Sequence, residues 1–130
     1  MANVLIVDDD ADTADVSRML LESAGHHIRI AHTGEEGLAS LGAAPLPDCL
    51  LLDVEMPVLS GPLMAHEMLL RDAGEEKIPI LLVSGRADLP AVAALMGTPY
   101  FLKKASPHYG EVLLEILARA LREKRAPASA

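Results

Sequence analysis

Four apolar runs in the chain each end on polar residues. Val4-Leu5-Ile6-Val7 leads into Asp8 and Asp9, and Cys49-Leu50-Leu51-Leu52 leads into Asp53. Ile80-Leu81-Leu82-Val83 leads into Ser84, and Tyr100-Phe101-Leu102 leads into Lys103. Apolar runs this short and this unbroken suit strands buried on both faces, as in a parallel sheet covered by helices. His27-Ile28-Arg29-Ile30-Ala31-His32 alternates instead, which predicts a half-exposed edge strand.

Between these runs the spacing becomes helical. Val16, Met19, Leu20, Ser23 and Ala24 lie on one helical face until Gly25 ends it. Thr33 and Glu36 form a capping box that opens a second helix, ending near Gly42. A third is predicted from Ser60-Gly61-Pro62 to Ala73-Gly74, and a fourth from an Asp88 cap to Gly97. The fifth is predicted from a Ser106 cap with Pro107 at its first position, carrying the stripe Leu113, Ile116, Leu117, Ala120 and Leu121. Strand and helix alternate five times. The expected class is α/β, a (βα)5 doubly wound parallel sheet with right-handed crossovers.

Ligands bind such sheets outside the carboxyl ends of the strands. Asp8, Asp9, Asp53, Ser84 and Lys103 therefore share one rim. Adjacent carboxylates raise one another's pKa and repel, and a divalent cation relieves the conflict. Mg2+ takes hard oxygen ligands and needs only one or two carboxylates from the protein, which Asp8, Asp9 and Asp53 supply. Asp10 and Asp12 read as acids favouring the first turn of a helix. His26, His27, His32, His66 and His108 show no metal-ligand spacing.

Composition narrows the function. A chain of 130 residues with 51% hydrophobic content holds one domain with a core of its own. No apolar run approaches the ~20 residues that span a bilayer. Met1-Ala2-Asn3-Val4 has no basic leader pattern, so a soluble cytoplasmic protein is expected. The single cysteine, Cys49, reads as a buried structural thiol. A net charge of −8 and 2% aromatics argue against direct nucleic-acid binding. Arg119, Arg122, Lys124 and Arg125 read as cations complementing the end of the last helix.

The set Val7-Asp8-Asp9, Asp53-Val54-Glu55-Met56-Pro57 with Gly61, Val83-Ser84-Gly85 and Tyr100-Phe101-Leu102-Lys103 resembles the receiver domain of bacterial two-component response regulators. The resemblance implies a flavodoxin-like strand order 2-1-3-4-5 and a receiver domain over residues 1–124, with 125–130 as a tail or linker start. It makes Asp53 the phosphoacceptor, with Asp8, Asp9, Asp53 and the backbone carbonyl of Glu55 around Mg2+. Ser84 and Lys103 would contact the phosphoryl oxygens, Tyr100 would be the aromatic switch, and Pro57 and Gly61 would shape the loop. Glu55 and Arg86 would tune phosphoryl lifetime.

The implied phosphodonor is a phosphohistidine on a sensor histidine kinase or phosphotransfer protein. The implied output is a downstream partner, or self-association, through the fourth helix, fifth strand and fifth helix. The implied protein is a self-phosphorylating signalling domain rather than an enzyme, acting alone or as part of a longer regulator.

Some positions depart from the family pattern. Lys104 stands where most receivers have proline, which makes it an alternative phosphate ligand to Lys103, although strand alternation is expected to point it away from the site. Gly97-Thr98-Pro99 replaces an acidic pair. The fourth helix has no charge beyond its cap, so Leu89, Val92, Leu95 and Met96 are expected to divide between core and an apolar partner surface. Competing readings are an aspartate-nucleophile phosphatase of the haloacid-dehalogenase type, from Asp8-x-Asp10 and Asp10-x-Asp12-Thr13, and a degenerate receiver acting as a scaffold. A dinucleotide-binding module lacks its G-x-G-x-x-G.

Overall fold

A computed structural model describes residues 2–41, 47–54, 78–85, 87–104 and 106–125. Its strands are β1 (Asn3–Val7), β2 (His27–Ala31), β3 (Cys49–Asp53), β4 (Ile80–Ser84) and β5 (Tyr100–Lys103). Its helices are α1 (Ala11–Ser23), α2 (Gly34–Leu41), α3 (Leu89–Met96) and α4 (Tyr109–Arg125). The last two correspond to the fourth and fifth helices expected from the sequence. The helix expected over residues 60–74 lies outside the described residues, as do Glu55, Met56, Pro57, Gly61 and Arg86. The five strands are parallel, in the expected order β2-β1-β3-β4-β5.

Successive side chains of a strand point to opposite faces, so each central strand feeds two cores. Val4 and Ile6 of β1, Leu51 of β3, and Leu81 and Val83 of β4 pack with Leu21 of α1 and Leu113 and Leu117 of α4. Leu5 and Val7, Leu50 and Leu52, and Leu82 pack on the other face with Leu89 and Ala93 of α3. Both layers are needed because the central runs are apolar at every position. β2, at one edge, has its middle residues only half-buried, as its alternation predicts.

Local signals set the helix ends. The Asp10 carboxylate caps α1 by accepting from the Asp12 and Thr13 amides at 3.1 and 3.4 Å. Thr33 Oγ1 accepts from the Glu36 amide at 3.0 Å, and the Glu36 carboxylate accepts from the His32 amide at 3.2 Å. Gly97 closes α3 in the left-handed region, at φ 77°.

The last helix departs from expectation. Ser106 does not cap it; the Ser106 amide donates to the Lys103 carbonyl at 3.1 Å in a turn, and the helix starts at Tyr109. His108, at φ 56°, precedes it, and its carbonyl takes the Val112 amide at 3.0 Å. Non-glycine residues at such a φ are costly, so surrounding contacts must hold His108 there.

Candidate functional site at the carboxyl rim

Strand parity decides which side chains meet at the rim. Asp8 follows Val4 and Ile6 by alternation, and Asp53 follows Cys49 and Leu51, so both carboxylates leave the sheet on the α1 and α4 face. Both are buried, whereas Asp9 is exposed in the turn before α1. Carboxylate oxygens of Asp8, Asp9 and Asp53 all lie within 4.8 Å of one another. The Asp10 amide donates to Asp8 Oδ1 at 2.9 Å, which orients that carboxylate.

Among the described residues, the cation at these acids is Lys104, not Lys103. Lys104 Nζ is 3.2 Å from Asp8 Oδ2, 3.3 Å from Asp8 Oδ1 and 3.5 Å from Asp53 Oδ2. Burial is the largest single influence on this ammonium and disfavours its charge. The attraction of Asp53 and Asp8, with the hydrogen bond to Asp8, outweighs it and holds the pKa above the usual lysine value.

Lys103 is exposed. It pairs in register with Ser84, and both lie on the α3 face, opposite the carboxylates. The expectation for Lys103 therefore fails on parity. Alternation sends Lys104 to the opposite side from Lys103, and that side carries the acids. The Lys104 amide is tied down as well, donating to the Ser84 carbonyl at 3.0 Å.

The same parity separates the two aromatics. Tyr100 is buried on the α4 face, where its hydroxyl donates to Glu123 Oε1 and the Arg119 guanidinium stacks 5.0 Å from its ring centroid. Burial first, and the Glu123 hydrogen bond second, push the Tyr100 phenol up to about 12. Ser84, although buried, is on the other face, so its movement would open no space for Tyr100. The aromatic on the Ser84 side is Phe101, which is 36% exposed. Arg119 also donates to the Pro99 carbonyl at 3.4 Å, so it serves β5 as well as the end of its helix.

Sequence reading also missed His32. Its Nδ1 donates to the Asp8 carbonyl at 3.3 Å, bracing the backbone of the acidic turn. The signal was its place at the end of β2, beside β1.

The donor set fits Mg2+. It consists of hard carboxylate oxygens from two buried residues and one exposed residue. Among the described residues, one ammonium against three carboxylates leaves surplus negative charge. Glu55, the expected carbonyl ligand, lies outside the described residues.

Known proteins share this fold. The chain matches the family described as the response regulator receiver domain over residues 4–109. It is 37% identical over 84 residues to protein PilH of Pseudomonas aeruginosa, covering 65% of this chain and 68% of PilH. It is 37% identical over 83 residues to response regulator MprA of Mycobacterium avium, covering 64% of this chain but only 35% of MprA. Among solved structures, the chemotaxis protein CheY4 of Vibrio cholerae superposes with a TM-score of 0.80 at 28% identity, covering 93% of this chain and 99% of CheY4. With strand order, acidic rim and sequence in agreement, the chain belongs to the response regulator receiver domain family.

Proposed function

We propose that the domain accepts a phosphoryl group on Asp53 from a phosphohistidine of a sensor histidine kinase or phosphotransfer protein. One observation carries the reading: the buried Asp53 carboxylate ends β3 among Asp8, Asp9 and the Lys104 ammonium. A carboxylate oxygen of Asp53 attacks phosphorus in line, an O–P bond forms, and the P–N bond to the donor imidazole breaks. The leaving imidazole takes a proton from solvent.

Asp8, Asp9 and Asp53, with the Glu55 carbonyl, would hold Mg2+, which when bound neutralises charge on the phosphoryl oxygens. Lys104 adds a fixed positive charge at the same place. Asp8 and Asp9 orient and hold rather than react. Glu55 and Arg86 are proposed to tune loss of the phosphoryl group, on the strength of the family resemblance.

Phosphorylation adds charge and strong acceptor oxygens at Asp53. On the strength of the family resemblance, Ser84 at the carboxyl end of β4 is proposed to reach over the rim to the new group, and Phe101, on the face that Ser84 leaves, to move into the space released. The surface that changes is α3, β5 and α4. Leu95 of α3 is 89% exposed and Phe101 of β5 is 36% exposed, which supports an apolar contact with a downstream protein or a second copy. The protein is proposed to act in the cytoplasm; among the described residues no helix is long and apolar enough to cross a membrane.

The phosphatase alternative needs Asp10 free for chemistry. Instead, Asp10 is committed to capping α1, with Oδ2 also taking the Thr13 hydroxyl at 2.7 Å. The test is phosphoryl uptake, read by intact mass, from a small P–N donor with Mg2+. The wild-type chain gains one phosphoryl group and Asp53→Asn gains none. Uptake by Asp53→Asn equal to wild type would falsify the assignment.

A further inference from the structure

The loop that delivers Lys104 is fastened at its far end to the helix that follows the acidic turn. Beyond Lys104 the chain turns through Ser106 and reaches three consecutive residues with unusual constraints. His108 stands at φ 56°. The Tyr109 hydroxyl is 3.1 Å from Ser17 Oγ of α1. A Cβ added at Gly110 would come within 2.9 Å of the Leu20 side chain, so α1 and α4 approach closely here. Ser17 is a buried polar residue, at 1% exposure, whose hydroxyl finds its partner in Tyr109. Burial above all pushes the Tyr109 phenol above its ordinary value, against the Ser17 hydrogen bond, which lowers it.

These contacts join two parts of the site. Asp8 and Asp9 lead directly into α1 through its Asp10 cap, and Ser17 sits about two turns further along the same rigid helix. Lys104 leads into α4 through a short turn. Fastening Tyr109 to Ser17 therefore fixes the cation-bearing loop relative to the acid-bearing turn. A strained His108 persists only where neighbours over-determine it, and Tyr109 and Gly110 provide that determination.

We propose that Tyr109 and Ser17 are positioning residues, a hydrogen-bonded clamp that holds the Lys104 ammonium at Asp8 and Asp53 for phosphoryl transfer. This rests on the proposed phosphoacceptor role of Asp53. An ammonium displaced by a fraction of an ångström loses much of its effect on a developing charge. Both clamp residues act through Lys104 and touch neither donor nor metal.

The experiment follows phosphoryl uptake from phosphoramidate with Mg2+ in the full chain, with Asp53→Asn as reference. Failure of wild type to take up label, or uptake by Asp53→Asn, would sink the phosphoacceptor reading itself. Given Asp53-dependent uptake, Tyr109→Phe and Ser17→Ala should each slow it about threefold to tenfold, the range expected for one net hydrogen bond. The double variant should be no slower than either single one. In a Lys104→Ala background, Tyr109→Phe should have no further effect. Amide exchange at Lys104 and Ser106 should quicken in Tyr109→Phe while β1 and β3 keep their protection. An unchanged rate in Tyr109→Phe, or the same slowing with Lys104 already removed, overturns the clamp. If Tyr109→Phe does not fold, Ser17→Ala decides by the same two comparisons.

Discussion

Replacing each of the two adjacent lysines in turn separates the parity of β5 from its sequence. Lys104 Nζ stands 3.2 Å from Asp8 and 3.5 Å from Asp53, with its side chain 24% exposed. A unit-charge pair at that separation is worth about 5 kcal/mol at an effective dielectric constant near 20. Removing the ammonium leaves two buried carboxylates facing one another, which costs about 3 kcal/mol of stability in the absence of metal. Lys104→Ala should therefore melt well below wild type in EDTA and recover much of the difference in excess Mg2+, because the metal now supplies the missing positive charge. Its phosphoryl uptake should fall by about two orders of magnitude, the size expected for losing one preorganised electrostatic contact. Lys103→Ala, an exposed substitution away from the acids, should change stability by less than about 0.5 kcal/mol and leave uptake near wild type. Thermal melts with and without Mg2+, together with uptake rates, read both quantities. A large loss in Lys103→Ala beside a wild-type Lys104→Ala would refute the parity argument and restore the frame read from sequence alone.

Two further outcomes concern ionisation. Tyr100 has its folded pKa raised to about 12 from an ordinary 10, so the unfolded chain loses this proton first. Its contribution to stability is complete below pH 10 and is lost as pH rises through 12, and urea midpoints should fall less steeply across that interval in Tyr100→Phe than in wild type. Equal slopes would show that the Glu123 hydrogen bond and burial do not couple to folding. His26 has its pKa lowered, chiefly by burial, and its Nδ1 accepts the Ala2 amide at 3.2 Å. Its contribution is present above pH 6.5 and is lost as pH falls below that value, so His26→Ala should flatten the decline in midpoint between neutral and mildly acidic pH. A decline as steep in the variant as in wild type would rule His26 out as its source.

Most of the architecture was legible because the central strands are apolar at every position and end abruptly on polar groups. Those endings located Asp8, Asp9, Asp53 and Ser84, and the alternation of β2 marked it as an edge. β5 resisted for the opposite reason. Tyr100-Phe101-Leu102 is apolar throughout and two lysines follow, so the local pattern cannot say which residues face which helix. Register with β4 decides it by pairing Phe101 with Leu82 and Lys103 with Ser84. The start of the last helix was misplaced because Ser106 and Pro107 form a plausible cap, whereas the chain first makes a turn through His108. That turn depends on packing against α1, which no local signal reveals.

The shortness of β5 has a consequence for how this domain can vary. Within four residues it sends Tyr100 and Leu102 to one compartment and Phe101 and Lys103 to the other, and Lys104 crosses back to the acids. Substitutions along it can be absorbed one compartment at a time. A single inserted or deleted residue cannot, because it would exchange every occupant at once and carry the ammonium to the wrong side of the sheet. Related domains can therefore diverge freely in the composition of this segment while its length stays fixed.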